Sequence, residues 1–391
     1  MRKRVWYLGL GGALLVAVGA VPFLLAAGDE PAPSVAPIAI PAGEHAQTLA
    51  ALKPPKRARP AIALLTLNDA TEVSDFLVAY GILGEADVAD VTVVAPEAGP
   101  VKLYPSFNLR VEAQATLRAF EERYPEGADY VVVPAVQPRD DARVVNWIKA
   151  QHAKGAKIVS ICNGTLTLAA AGLLDGRRAT AHWSEVQGLR EAHPTLQWVP
   201  DRRYVVDRGI LTSTGVSASI PVAITLVEAI GGRAAAEKVA KTLGVATWDA
   251  RHATRAFQLT REHKKTFLRN KMSLWRHETL GLPVERDVDE IALGLTVDTY
   301  FRTEMTRLTT AGTGDEGVKT RRGLVIYPDT SAGVAAVDAM LPAPPSGAVS
   351  RTLDRELARI ASRYDRPTAA FVALTLEYPW NEARAGPAHG Q

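Results

Sequence analysis

The chain has 391 residues and a formal net charge of +3; 47% of its residues are hydrophobic and 22% are charged. This composition is typical of globular proteins and excludes a fibrous or broadly disordered chain, and the length predicts two or three domains. The small net charge gives no electrostatic case for nucleic-acid binding, and a single cysteine excludes an intramolecular disulfide and any multi-cysteine metal site.

Residues 1–28 are predicted to form a membrane anchor. Basic residues at positions 2–4 precede an uncharged, mostly apolar run from Val5 to Gly28. As a helix this run is about 36 Å long, enough to cross a hydrocarbon core of about 30 Å. We expect a single-pass protein with a cytoplasmic N-terminus and an extracytoplasmic body, periplasmic in a Gram-negative cell. A cleaved signal, which would make the body a secreted protein, is the alternative.

Residues 29–60 are predicted to be a proline-rich tether. Proline at this density disfavours helices and central strands, so we expect an extended chain. The basic cluster Lys53–Arg59 has two interpretations, a solvated linker or a contact with anionic lipid headgroups.

Residues 61–250 form the first predicted domain, in which short apolar strands alternate with helices. The predicted strands cover residues 61–67, 91–96, 130–134, 157–161, 204–206 and 210–212. The predicted helices cover residues 72–83, 111–123, 141–154, 165–174 and 219–230. This alternation predicts an α/β fold with a parallel sheet covered by helices on both faces, in which sites form at the carboxyl ends of strands.

The only cysteine, Cys162, falls at such a strand end. The run Lys157–Ile161 is followed by Cys162-Asn163-Gly164 and then by an alanine-rich helix. A strand–turn–helix of this kind is the geometry of a nucleophile elbow, and the helix N-terminus favours a thiolate. The pattern alone leaves open whether Cys162 is a nucleophile or a small buried core residue.

Family resemblance bears on this alternative. Residues 160–183 read S-I-C-N-G-T-L-T-L-A-A-A-G-L-L-D-G-R-R-A-T-A-H-W and resemble the elbow region of the ThiJ/PfpI superfamily. Residues 131–134 and 207–232 also match, and the resemblance covers residues 61–250. It implies the class I glutamine amidotransferase-like, flavodoxin-like fold. The nearest forms are the N-terminal domain of GlxA-type AraC regulators and the isocyanide hydratases.

The resemblance also implies roles for individual residues. Cys162 matches the reactive cysteine of the family, and Asp75 matches a carboxylic acid held beside it, although Glu72 is a nearby rival. Such an acid can stabilise a thiolate and pass a proton to substrate. His182 matches a histidine near the active cysteine, where it is either a base or ion-pair partner or a structural histidine.

Two departures from the family pattern affect the expected chemistry. Protease and chaperone members have histidine after the cysteine, and hydratase-like members commonly have threonine, where this chain has Asn163. Many members have a Gly-Gly oxyanion loop after the third strand, where this chain has Ala135 and Val136. Ala135 and Val136 can still donate backbone N–H groups, although the tight glycine loop is lost. The expected elbow and oxyanion residues are Asn163, Gly164 and Ala135.

Residues 251–391 are predicted to be a smaller α/β unit. No pair of helix-turn-helix motifs is evident, and two segments echo the first unit: residues 372–380 resemble 239–248, and residues 306–329 resemble 91–109. The unit is either a shortened repeat without the elbow or a chance similarity. If it is a repeat, we expect it to pack on the first unit as an intramolecular pseudo-dimer. The basic stretch 261–276 is either a solvated helix face or a membrane-surface helix.

The sequence thus predicts a membrane-tethered ThiJ/PfpI-like protein that acts on a small electrophilic substrate by covalent thiol addition, as a hydrolase or hydratase. The alternatives are a non-catalytic small-ligand sensor and a structural envelope protein. We expect no cofactor, no metal, no nucleic-acid partner, and either a dimer or a pseudo-dimer.

Overall fold

The computed structural model describes residues 36–106, 109–312, 317–329, 337–345 and 347–380. The membrane segment expected at residues 1–28 and the start of the tether lie outside the described residues. Residues 61–250 are called the first unit below, and the described residues from 251 onward are called the second unit.

The first unit contains twelve strands within its described residues. In chain order they are β1 (Ala61–Leu65), β2 (Thr71–Glu72), β3 (Asp90–Ala95), β4 (Pro100–Tyr104), β5 (Arg110–Glu112), β6 (Ala115–Thr116), β7 (Tyr130–Val133), β8 (Lys157–Ser160), β9 (Arg178–Ala179), β10 (Gln197–Trp198), β11 (Tyr204–Asp207) and β12 (Ile210–Ser213). Seven of them form the central sheet in the order β11-β12-β8-β7-β1-β3-β6, parallel except for β11. Strands β9 and β10 form a separate parallel pair.

Helices cover both faces of this sheet. They are α1 (Glu44–Ala51), α2 (Val73–Ala86), α3 (Leu117–Arg123), α4 (Ala142–Ala153), α5 (Gly164–Ala170), α6 (Val186–Ala192) and α7 (Ser219–Leu243). Alternate residues of β1 enter different cores: Ile62 and Leu64 pack with α2 and α7, and Ala63 and Leu65 pack with α3 and α4. The protein therefore has the mixed α/β, flavodoxin-like fold predicted from the sequence, with a central parallel sheet between helical layers.

The second unit is a smaller α/β arrangement. Its elements are α8 (Arg261–Met272), β13 (Glu278–Pro283), α9 (Glu290–Phe301), β14 (Thr306–Ala311), β15 (Val318–Lys319), β16 (Val325–Tyr327), β17 (Ala339–Met340), α10 (Thr352–Arg363) and α11 (Arg366–Thr375). Strands β14, β13 and β17 form a parallel sheet in that order. Single 3₁₀ turns at Val216–Ala218, Thr254–Ala256, Leu274–Arg276 and Val349–Arg351 complete the described elements.

The two units are joined by a shared sheet and a shared core. Strand β16 pairs antiparallel with β5, so that Ile326 lies opposite Val111. Helix α9 packs on α2, where a Cβ atom on Gly81 would lie 2.4 Å from Ile291. Side chains of both units belong to one buried cluster.

The segment before β1 differs from the extended tether expected there. Residues 44–51 form α1, and Leu52 is fully buried with its carbonyl accepting from the Tyr130 hydroxyl at 2.6 Å. Arg57 forms an ion pair with the buried Asp129 at 2.7 Å. The prolines flank this helix rather than interrupt it, so they permit the fold-back. The cluster Lys53–Arg59 is in part bound to the body rather than being wholly a solvated linker.

The helix predicted over residues 111–123 is only partly present. Residues 110–112 and 115–116 are strands, and the helix begins at Leu117 after the Thr116 cap, whose hydroxyl accepts from the Ala119 N–H. Strand β5 pairs with β4, directly before it, and with β16 of the second unit, while β6 pairs with β3, so these pairings override the local helical pattern.

Within the described residues, one helical stretch is long and apolar enough to cross a membrane, Val216–Leu243. More than half of it is buried inside the protein, and α7 is interrupted at Gly232, whose φ of 81° is not helical. It therefore behaves as two core helices of the α/β fold.

Candidate active site around Cys162

Cys162 lies in a sharp turn between β8 and α5. Its φ is 51°, in the left-handed region that is uncommon for a non-glycine residue, and its backbone N–H donates to the Ser213 hydroxyl at 3.1 Å. The residue is 5% exposed. A strained backbone conformation persists only where the surrounding structure holds it in place. Such conformations cluster at functional sites.

Gly164 allows the turn to lie against the neighbouring strand. A Cβ atom at this position would fall 2.0 Å from the carbonyl oxygen of Val133, at the end of β7. Only glycine permits this approach, so the elbow and the end of β7 have one fixed relative position. The site thus forms at the carboxyl ends of the adjacent strands β7 and β8, beside β1, where the chain order of the sheet reverses.

Two buried carboxyl groups from the start of α2 face the elbow. Glu72 caps the helix, with Oε2 accepting from the Asp75 N–H at 2.6 Å, and both side chains are buried. Burial raises the pKa of Asp75 to about 8, while its hydrogen bond from the Ala135 N–H opposes that rise. Burial and the neighbouring charges of Asp298 and Asp75 raise the pKa of Glu72 well above its usual range. Asp75 therefore holds a proton near neutral pH.

The second unit contributes a cation to this cluster. Arg302 follows α9 and donates from Nε to Asp298 Oδ1 at 2.8 Å and from Nη1 to the Thr375 carbonyl at 3.0 Å. Its side chain is 23% exposed. The charges of Glu72, Asp298 and Cys162 raise the pKa of Arg302, so the guanidinium is ionised. Sequence reasoning missed Arg302 and Asp298; an Asp–Arg pair four residues apart on a helix was the one visible signal.

The helix N-terminus is expected to favour a thiolate at Cys162, but the surroundings of the sulfur favour the protonated thiol. Burial and the charge of Asp75 raise the pKa of Cys162 well above its usual range, while Arg302 and the Asn163 N–H favour the thiolate. The thiol is therefore protonated at rest, beside a carboxyl group that also carries a proton.

Both ring nitrogens of His182 have partners. Its Nδ1 lies 2.8 Å from the Ser184 hydroxyl and its Nε2 lies 3.1 Å from the Thr375 carbonyl. Because a carbonyl only accepts, Nε2 carries the proton and Nδ1 is an acceptor. Burial lowers the pKa of His182. Among the described residues no hydrogen bond joins His182 to Cys162.

The segment after α11 is fixed beside the elbow by Glu377. Its Oε2 accepts from the Gly215 N–H at 2.6 Å and its Oε1 lies 2.9 Å from His252 Nε2, with both ionisable side chains buried. The hydroxyl of Ser217 donates to the Glu377 carbonyl at 2.6 Å. The second unit therefore closes one side of the site through Thr375 and Glu377.

The expected oxyanion donors are only partly free. The Ala135 N–H donates to Asp75 Oδ2 at 3.2 Å, so this donor is already directed at a carboxyl group. The side-chain oxygen Oδ1 of Asn163 is buried and has no hydrogen-bond partner in the described part of the chain. The residue that follows Cys162 thus carries an unsatisfied buried polar atom.

Within the described part of the chain, no metal-ligand cluster lies at this site, and a cavity in the second unit is lined by other residues. Among the described residues no group of three or more His, Cys, Asp or Glu is placed to hold a metal ion. A cavity of about 380 Å³ lies in the second unit, lined by residues that include His277, Phe301 and Met305. It shares no lining residue with the Cys162 cluster.

Comparison with known proteins shows what the first unit resembles. Residues 61–229 match the family model described as the DJ-1/PfpI family. The isonitrile hydratase of Pseudomonas putida is 37% identical over 94 residues, which are 24% of this chain and 40% of the hydratase. The HTH-type transcriptional regulator CdhR of Pseudomonas aeruginosa is 30% identical over 158 residues, which are 40% of this chain and 45% of the regulator. The matches span less than half the length of these two relatives.

Solved structures give matches of similar extent. The crystal structure of DJ-1beta from Drosophila melanogaster is 22% identical with a TM-score of 0.43, covering 48% of this chain and all of that one. A ThiJ/PfpI family protein from Pseudomonas syringae is 24% identical with a TM-score of 0.42, covering 54% of this chain and 81% of that one.

Proposed function

We propose that the domain of the DJ-1/PfpI superfamily formed by residues 61–229 of this chain is a thiol enzyme whose Cys162 adds to a small electrophilic carbon, as in a hydratase or hydrolase. One observation carries the proposal: a strained elbow cysteine lies beside a buried carboxyl group, Asp75, whose pKa is raised to about 8. The match to an isonitrile hydratase supports the same class of chemistry.

The two protons at the site allow addition without a free thiolate at rest. The Cys162 sulfur forms a bond to the electrophilic carbon while a π bond of that carbon opens. Asp75 donates its proton to the atom that gains the π electrons, and the thiol proton passes to the Asp75 carboxylate. The carboxyl group is regenerated and S–H has been added across the multiple bond. In a hydration, water then replaces the thiol at that carbon and Cys162 regains its proton. In the hydrolysis of an amide, the adduct first expels the amine, which takes the hydroxyl proton of the adduct by way of Asp75, and water then cleaves the resulting thioester to the acid and the free thiol.

Arg302 acts as a positioning residue in this scheme. Its guanidinium lowers the cost of the negative charge that the sulfur carries as its proton leaves, before the S–C bond is complete. Asp298 and Thr375 orient the guanidinium through its Nε and Nη1 atoms.

The experiment is turnover of the full chain on glyoxal, an aliphatic isonitrile and a small primary amide. We expect activity on one class, complete loss in Cys162→Ser, and a loss of about 100-fold or more in Asp75→Asn. Equal turnover rates in wild type and Cys162→Ser would refute the proposal that Cys162 is the nucleophile.

A ligand sensor is the second candidate. The deep burial of Cys162 and the raised pKa of its thiol favour it, as does the match to a transcriptional regulator. This candidate predicts that a small ligand raises the melting temperature of wild type and of Cys162→Ser equally, without turnover.

We place this domain outside the cytoplasm on a membrane tether. The apolar run of residues 5–28 and the basic residues before it support this placement. Protease accessibility in intact spheroplasts tests it: a body that is digested only after lysis would contradict an extracytoplasmic location.

A further inference from the structure

The end of α8 carries an exposed apolar surface. Among the described residues, seven large hydrophobic side chains are exposed, and four of them lie within residues 268–275. Leu268 is 45% exposed, Met272 72%, Leu274 71% and Trp275 84%. These four residues are called the Trp275 patch. Isolated exposed apolar side chains are normal, but a contiguous set indicates an interaction site.

A rigid element holds this patch outward. Helix α8 buries Phe267 and Asn270 against the body, and Asn270 Nδ2 donates to the Thr303 carbonyl at 2.9 Å. Arg269 pairs with Asp365 at 2.9 Å. Leu268 and Met272, four residues apart, therefore lie on the opposite, outer face of a fixed helix.

Positive charge surrounds the patch. Residues 261–276 contain six basic residues and one acidic residue. Asp365 and Glu304, which pair with Arg269, Arg276 and Lys271, add two acidic neighbours, so the balance of charge stays positive. Lys264 and Lys265 precede Leu268 by one helical turn, so their ammonium groups lie on or beside the same outer face. An apolar tip next to cationic side chains complements a surface of anionic headgroups over acyl chains.

The same charges disfavour a second copy as the occupant. A two-fold interface places the same surface against itself, so cations would face cations around the apolar centre. A lipid surface supplies the opposite charge and an apolar layer together.

We propose that the Trp275 patch docks on an anionic lipid surface, with Met272, Leu274 and Trp275 inserted at the acyl boundary and with Lys264 and Lys265 at the phosphates. This docking holds the second unit against the bilayer and fixes the orientation of the body relative to the membrane. This role is independent of the chemistry at Cys162.

The test is quenching of tryptophan fluorescence by brominated phosphatidylcholine in vesicles bearing the full chain. The readout is the quenched component that wild type shows and Trp275→Phe lacks; Trp6, in the apolar N-terminal run, contributes equally to both. We expect this component in vesicles containing phosphatidylglycerol. We expect it to fall at high salt, and to fall about fivefold in Lys264→Gln.

Trp198→Phe is the matched control, because Trp198 lies in the first unit beneath Arg190; it should leave the Trp275 component unchanged. The high exposure of Trp275 predicts an unchanged melting temperature in Trp275→Phe. Equal quenching in wild type and Trp275→Phe would overturn the proposal. A lipid-free dimer that Trp275→Ala dissociates would also overturn it, by assigning the patch to a second copy.

Discussion

The hydroxyl of Ser74, in the first turn of α2, lies 3.0 Å from the Asp298 carboxylate on α9 of the second unit. Asp298 in turn orients Arg302, and Ser74 directly precedes Asp75. The carboxyl group and the guanidinium that act on Cys162 are thus linked by a hydrogen-bonded contact between the two units. The second unit is part of the candidate site rather than an appendage.

Arg302→Gln is expected to slow alkylation of Cys162. Removing the guanidinium withdraws a charge that favours the thiolate, so the thiol pKa rises and the iodoacetamide rate at mildly alkaline pH falls about tenfold. The control is Arg359→Gln, which breaks a comparable helical ion pair, 2.9 Å to Glu356, elsewhere in the second unit. An identical rate–pH profile in Arg302→Gln and wild type would contradict the assignment.

Asp75→Asn is expected to change how stability depends on pH. The folded pKa of Asp75 is about 8 against a usual value of 3.8, so the folded state keeps a proton that the unfolded state has lost between these values. Wild-type stability from this group is full at low pH and declines as pH rises toward 8, with a slope of up to about 1.4 kcal/mol per pH unit. Urea unfolding should show the variant gaining stability relative to wild type across this window.

Asp141→Asn provides a control of opposite sign. Its hydrogen bonds with Arg143 lower the pKa of Asp141, so its stabilising contribution is present at neutral pH and lost in acid. A stability difference between Asp75→Asn and wild type that did not vary from pH 4 to pH 8 would show that Asp75 ionises freely in the folded state.

Gly164→Ala is expected to destabilise the protein by about 2 kcal/mol or more, because the new Cβ atom would overlap the Val133 carbonyl. Gly188→Ala is the matched control, since it lies in helix α6 with no atom within 4 Å of the added Cβ. That variant should be neutral or slightly stabilising. Chemical unfolding of both compares them directly, and equal stabilities would argue against the close approach of the elbow to β7.

His182→Gln separates a structural role from a catalytic one. Both ring nitrogens are engaged by Ser184 and Thr375, so we expect a lower melting temperature with no change in the thiol pKa of Cys162. Alkylation rates against pH measure the second quantity. A shifted thiol pKa at unchanged stability would instead support the base or ion-pair role.

The full chain in detergent is expected to be a monomer of 41.9 kDa by light scattering. The face of α2 is already covered by α9, where Gly81 and Gly294 allow close helix contact with Ile291 and Leu77. A dimer formed through α2 would require this contact to open, so a stable dimer with that interface would contradict the prediction.

The internal repeat stays a hypothesis, although particular features support it. In each unit a central strand, β1 or β13, has parallel neighbours on both sides. The echoed segments end in equivalent caps: the Val245 N–H donates to the Ala240 carbonyl at 2.8 Å, and the Tyr378 N–H donates to the Ala373 carbonyl at 2.9 Å. Gly244 and Glu377, the matching positions, both have positive φ.

The sequence predicted the elbow, six of the seven strands of the central sheet and most helices of the first unit, because apolar runs, glycine and the turn after β8 are local signals. It could not predict that the charge of Arg302 would act on Cys162, since their proximity depends on the packing of α9 on α2. It also could not place the Ala135 N–H on Asp75, which follows from the adjacency of β1 and β7. Long-range packing decides both contacts.

Because α9 packs on α2 within one chain, diluting the protein does not remove Arg302 from the site. In an assembly of separate subunits, a cation donated by a neighbour leaves the site when the complex dissociates. Here one covalent chain carries Cys162 and Arg302, so the guanidinium is present at a fixed effective concentration. The reactivity of each molecule is therefore expected to be the same at nanomolar and at micromolar protein.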